Sequence, residues 1–133
     1  RDHHHTGYVL ECLSTFRSIL EDHEFDLEIE KGWNHYRSKF FDTDHLPLYY
    51  DDRDGPLDAT AAGQAFITLA QFDDVEFGFE VASACLPVLA REDGTFTYRR
   101  TGEKLTRTHF IRWSTAWMFA GMTRLLAKES RPR

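Results

Sequence analysis

The chain has 133 residues, 41% of them hydrophobic and 29% charged, enough for one domain with a real core. Its formal net charge of −6 argues against a nucleic-acid partner, since binders of phosphate backbones gather Lys and Arg on one face. No apolar run reaches the roughly eighteen residues of a membrane span and no secretory signal pattern is visible, so a soluble, cytoplasmic protein without a membrane partner is expected.

The first helix is expected to be capped by Thr6 and to run to about Asp22, because Val9, Leu10, Cys12, Leu13, Phe16, Ile19 and Leu20 recur at spacings of three and four. Asp26 caps a second helix on this reading. Ile29, Trp33, Tyr36 and Phe40 form a narrow apolar stripe on it, with Glu28, Glu30, Lys31, Arg37 and Lys39 opposite, which describes an outer, one-sided helix. Between Phe41 and Asp58 the periodicity stops: Asp42-Thr43-Asp44, Pro47 and Gly55-Pro56 are turn chemistry around a short extended piece, Leu48-Tyr49-Tyr50.

Asp58 then caps a third helix, from Ala59 to about Phe72, that is apolar almost all round. Gly63 within it sacrifices roughly 1 kcal/mol of helix propensity, which predicts close approach of another backbone. A fourth helix starts near Asp73 or Asp74 and carries Val75, Phe79, Ala82, Leu86 and Leu89, with a kink expected at Pro87. Asp93-Gly94 and Gly102 frame a predicted β-hairpin of Thr95–Tyr98 with Lys104–Thr106. The last helix is expected from Phe110 to Lys128, apolar over most of its circumference, followed by a frayed tail. The basic residues between Arg99 and Arg112 read as a solvated hairpin. Cys12 and Cys85 read as small buried hydrophobes, with a bridge between them left open.

These pieces repeat. Phe41-Asp42-Thr43-Asp44-His45 before Tyr49 parallels Arg91-Glu92-Asp93-Gly94 before Tyr98, and each loop leads to an apolar helix with a small residue near its start, Gly63 or Ala116. Thr6-Gly7-Tyr8 reads as a third copy. The unit is apolar helix, one-sided helix, aromatic loop; the expected fold is all-α, built from helical hairpins with a short β-hairpin before the last helix.

The alternation, with Asp58-Ala59-Thr60-Ala61-Ala62-Gly63-Gln64-Ala65, Arg112-Trp113-Ser114-Thr115-Ala116-Trp117-Met118 and His4-His5-Thr6-Gly7-Tyr8-Val9-Leu10, resembles the six-hairpin α/α toroid proteins. The nearest likeness is to poorly characterised members related to glycan-processing enzymes. The resemblance implies a single α/α-hairpin domain over 1–133, forming an incomplete arc. The first residue is Arg1 and not Met, so the chain is expected to be the ordered portion of something longer, or a processed product; on the toroid resemblance the arc is expected to be the C-terminal part of a longer ring. It also implies that a missing segment of the same protein, or a second copy, covers the exposed inner helices. It implies a carbohydrate-active role, glycan-processing or sugar-binding, with a saccharide as ligand; the alternative is a non-catalytic helical-repeat interaction or scaffolding module.

In such toroids ligands enter at the end of the ring where loops meet the inner helices, which directs attention to Asp2–Tyr8, Tyr49–Asp58 and Thr108–Trp117. His4 and His5 are candidates for acid–base work or for donating to a sugar hydroxyl. Asp58, at the mouth of an inner helix, is the first carboxylate to test beside its capping role, with Asp51, Asp52 or Glu11 as a second for glycoside chemistry. Tyr49, Trp113 and Trp117 offer faces for the C–H side of a sugar, and Asp51 and Gln64 offer polar contacts. Arg112 could clamp a carboxylate such as that of a uronic acid. His3-His4-His5 lacks supporting Cys or carboxylate at ligand spacing, so no metal and no other cofactor is expected. The absence of G-x-S-x-G, P-loop, dinucleotide and H-E-x-x-H patterns weighs against lipase-type, nucleotide-dependent and zinc-protease chemistry.

Overall fold

Asp58 decides where the central helix begins. Its backbone is extended, and its carboxylate accepts from the amides of Thr60 (2.9 Å) and Ala61 (3.3 Å), two of the donors that a helix start leaves unpaired. The helix that follows, Ala59–Gln71, is the third of five α-helices among the described residues, 1–130 of the computed structural model. The others are α1 (His3–Leu20), α2 (Asp26–Lys39), α4 (Val75–Leu89) and α5 (Ala116–Glu129), the last entered through a π-helical turn, Ile111–Thr115. Most of the tail expected to fray, residues 131–133, lies outside the described residues.

Every residue of α3 from Ala61 to Ala70 is buried. An all-apolar helix needs cover on all sides, and α3 finds it in α1 on one flank, α5 on the other and α4 behind. Phe66 and Leu69 are completely buried among Val81, Cys85 and Leu89 of α4 and Met118 and Leu125 of α5. Each large side chain so buried contributes roughly 1.5–3 kcal/mol relative to exposure. On the α1 side a smaller cluster joins Leu10 to Tyr36 and Phe40, and Trp33 stacks on Phe72 at 4.5 Å, so the stripe read on α2 is its buried face. The result is a layer of α1, α3 and α5 backed by α2 and α4, in which α3 alone is covered along its whole length, while α1 and α5 leave apolar side chains exposed.

The two loops repeat bond for bond. Leu48 donates to the Phe40 carbonyl and Thr97 to that of Leu89, both at 2.8 Å; Asp42 donates to Leu46 and Arg91 to Thr95, both at 3.0 Å. His45 (φ 63°) and Gly94 (φ 78°) occupy the same left-handed position of the turn. Each loop then returns to the start of the first helix of the hairpin before it: the Tyr49 carbonyl accepts from the His3 amide of α1 and the Tyr98 carbonyl from the Ala59 amide of α3, both at 3.0 Å.

Several boundaries move. Asp2, not Thr6, caps α1, its carboxylate accepting from the His5 amide at 2.9 Å, while Thr6 lies inside the first turn and donates to the Asp2 carbonyl. Phe25 stands at the start of α2 with no side-chain cap, and Asp26 instead pairs with Arg17 and His23. The first hairpin strand is Arg99–Thr101 (β2), paired with Lys104–Thr106 (β3) across Gly102, because Thr95–Thr97 is taken up by the loop against Leu89–Arg91. An unforeseen strand, Leu57–Asp58 (β1), completes a three-stranded antiparallel sheet in the order β1-β2-β3. Cys12 is exposed rather than buried; Cys85 is buried, its thiol pushed up to about 12 mainly by burial, and both are free.

Gly63 does mark a close approach. A Cβ there would stand 2.5 Å from the carbonyl carbon and oxygen of Trp117. The facing small residue on α5 is Gly121, whose own Cβ would press on the Gly63 carbonyl.

Candidate functional site

The starts of α1 and α3, the Tyr49 and Tyr98 loops and the π-helical turn before α5 converge on one cleft of about 380 Å³. Of the residues singled out from sequence, His4, His5, Tyr49, Asp58, Arg112, Trp113 and Trp117 line it. Asp2, Thr60, Tyr98 and Arg99 line it as well. Equivalence of Tyr98 with Tyr49 in the repeat was the signal that could have found Tyr98; Arg99 stands where the first loop has Tyr50 and had no such signal.

Asp58 and Arg99 sit directly opposite each other in the β1–β2 register, so strand pairing itself presents the guanidinium to the carboxylate. One Asp58 oxygen caps α3; the other accepts from Arg99 Nε at 2.8 Å and Nη2 at 2.7 Å. Burial works against the charge on Arg99, but the hydrogen bond and attraction of Asp58 outweigh it and raise the guanidinium above its usual value. Arg99 also lies between two rings, 5.2 Å from the Tyr49 centroid and 5.0 Å from that of Tyr98. The basic hairpin is therefore not simply solvated at this end. Both oxygens of Asp58 have structural partners, which leaves little of it free for acid–base work.

Arg99→Ala is expected to lower the unfolding free energy by about 1–2 kcal/mol, because it strands a carboxylate whose side chain is only 3% exposed. The figure stays below that of a fully buried pair because Arg99 is 31% exposed and water can reach the gap. Urea denaturation measures it, and an unchanged midpoint would show that the pair adds nothing.

The three adjacent histidines part company. His3 is completely buried; its Nδ1 pairs with the Leu48 carbonyl at 3.0 Å, so Nε2 is left to accept from the Tyr36 hydroxyl at 2.6 Å. Burial pushes it down to about 4, opposed chiefly by the Leu48 bond. His5 is turned outward onto Asp2, 2.8 Å away. Burial would raise the Asp2 carboxyl, but the amide and ring of His5 hold it below the usual range. His4 lies between them, half-buried, its ring edge-on to Trp117 with centroids 4.7 Å apart. Its Nδ1 is buried without a hydrogen-bond partner, and burial followed by the nearby His5 lowers its pKa, which keeps it neutral near pH 7. No group of three His, Cys, Asp or Glu side chains is placed to hold a metal among the described residues.

Two residues on the sequence-derived set lie elsewhere. Asp51 faces α2, bonded to His35 at 3.0 Å and to the amine of Arg1, because the Tyr50–Asp2 bridge turns it away from the cleft. Gln64 is completely buried at the α1–α3 contact, where it donates to Thr68 at 3.1 Å and reaches Glu11 at 3.5 Å. Glu11 itself pairs with Arg124, and Asp52 with Arg53, so neither joins Asp58 in the cleft; the second carboxylate there is Asp2.

The aromatic wall is graded in exposure. Trp113 is half-exposed, Trp117 partly buried, and burial raises the Tyr49 hydroxyl, keeping it a donor. Thr60 ties this wall to α3 by donating its hydroxyl to the Trp113 carbonyl. No protein-family model matches the chain, and no curated protein and no solved structure matches it either.

Proposed function

We propose that this chain supplies a saccharide-binding cleft, as an arc of an α/α toroid of the glycan-processing kind. One observation carries the reading: three segments far apart in sequence bring Trp113, Trp117 and Tyr49 beside His4, Asp58 and Arg112 around one cleft. A pyranose ring has an apolar C–H face that suits an aromatic plane and a rim of hydroxyls that suits such polar groups. Among these groups His4 carries the imidazole, the side chain suited to proton transfer near neutral pH, although its unpartnered Nδ1 is itself buried. Hydrolysis by paired carboxylates is less favoured, since Asp58 and Asp2 both have internal partners.

The toroid reading draws support from the exposed apolar flanks of the outermost helices of the layer. Val9, Phe16, Ile19 and Leu20 on α1, and Phe119 and Leu126 on α5, are each about half exposed or more. Further helices of the same polypeptide, or of a second copy, would cover them. The same flanks favour the second reading, a non-catalytic interaction module, if they rather than the cleft are what the protein uses. A cytoplasmic location fits the exposed free thiol of Cys12. No helix among the described residues is long and apolar enough to cross a membrane.

A glycan array with a thermal-shift screen tests the proposal. Trp113→Ala is expected to weaken saccharide binding about tenfold, roughly 1.4 kcal/mol, while leaving the melting temperature nearly unchanged because the ring is half-exposed. Wholly negative results over neutral and acidic sugars would sink the carbohydrate reading and leave the interaction module.

A further inference from the structure

The cleft holds two carboxylates and two guanidiniums, but they are not all paired with one another. Asp58 is neutralised by Arg99 and by the α3 cap, and Asp2 is engaged by the amide and ring of His5. Arg112 is exposed, lines the same cleft and has no carboxylate within ion-pair distance among the described residues. Close by, His4 holds a buried ring nitrogen with no partner. What remains without an internal partner and open to a ligand is the Arg112 guanidinium, in the same cleft as the half-exposed face of Trp113.

We propose that the cleft selects a saccharide bearing a carboxylate, a uronic acid residue, with the anion on Arg112 and the ring against Trp113 and Trp117. This rests on the saccharide reading above and names its substrate class. A guanidinium matches a carboxylate with two parallel hydrogen bonds. A phosphate monoester, at roughly −1.5 to −2 charges near neutral pH, would call for more cationic partners than one free arginine. The lowered pKa of His4 is consistent with a neutral ring there, able to donate to or accept from the sugar without adding a second fixed charge.

The test is calorimetric titration of the full chain with three matched trisaccharides: galacturonate, neutral galactose, and galactose carrying a sulfate ester. The galacturonate is expected to bind at least tenfold more tightly than the neutral sugar at low salt. That advantage should shrink as salt shortens the reach of the charge. Arg112→Gln should erase the advantage, the acidic sugar losing at least tenfold more affinity than the neutral one, and Arg112→Lys should keep part of it; Arg112 is exposed, so both variants should fold. Equal binding of acidic and neutral sugars, or an equal loss of both in Arg112→Gln, overturns the proposal while the saccharide reading stands. Preference for the sulfate ester over the uronate overturns the carboxylate assignment. Binding of none of the three removes the saccharide reading itself.

Discussion

Gly63→Ala is expected to destabilise the protein by about 2 kcal/mol, although alanine is the better helix former. In an open helix the substitution would gain roughly 1 kcal/mol. Here the added methyl meets the Trp117 carbonyl carbon and oxygen at 2.5 Å. Both are backbone atoms, so no rotamer change relieves the contact and α3 and α5 must move apart. Overpacking of this kind costs about 1–3 kcal/mol, here at the upper end, and it offsets the propensity gain with about 2 kcal/mol left over. Gly32→Ala is the control, because a Cβ there meets only the end of the Leu10 side chain, at 2.8 Å, which can swing aside. Urea unfolding of both variants checks the argument. A stabilised Gly63→Ala would show that the two helices are not in close contact at this point.

Acid should weaken the fold through His3 before it protonates most carboxylates. The buried ring stands at about 4, against about 6.5 for a histidine in an unfolded chain. Between those values the unfolded chain takes up a proton that the folded chain refuses. Stability is therefore complete above about pH 6.5, falls as pH drops toward 4 and levels off below that. The whole effect is about 3 kcal/mol, from 1.36 kcal/mol per pKa unit. Unfolding midpoints at several pH values measure the slope, and His3→Gln should flatten it while lowering stability at neutral pH. Should that variant fail to fold, an NMR titration of the native protein decides the matter: a His3 ring signal that titrates near 6.5 would refute the argument.

How far the sequence could be read depends on what each residue answers to. Asp58 as a helix cap was legible because capping is settled within three residues, by one carboxylate and the amides that follow it. The cap of α1 was misread for a related reason. Asp2 and Thr6 both carry oxygens suited to the role, and the choice fell to Asp2 through its bridge to Tyr50, which lies far away in sequence. The paired loops were legible as a repeat because each is a local turn with its own bonds. The partner of Gly63 was not, since only the register of α3 on α5 brings Gly121 and the Trp117 carbonyl against it.

The cleft followed the same division. His4, Tyr49, Arg112, Trp113 and Trp117 could be named because the toroid resemblance directed attention to the ends of the inner helices where loops enter, and these are the aromatic and ionisable residues there. Asp51 and Gln64 carry the same kind of chemistry but lie in an α2 contact and a helix interface, and spacing along the chain cannot express either. Arg99 looked like one more solvated arginine until the pairing of β1 with β2 set it against Asp58.

By itself, then, the amino-acid order determined which helices are apolar all round, which are one-sided, and that the units repeat, because periodicity and capping act over a few residues. Tertiary structure alone decided which polar groups face the cleft, which neutralise one another and which stay free, because those outcomes turn on register between elements forty or more positions apart, as with Asp58 and Arg99.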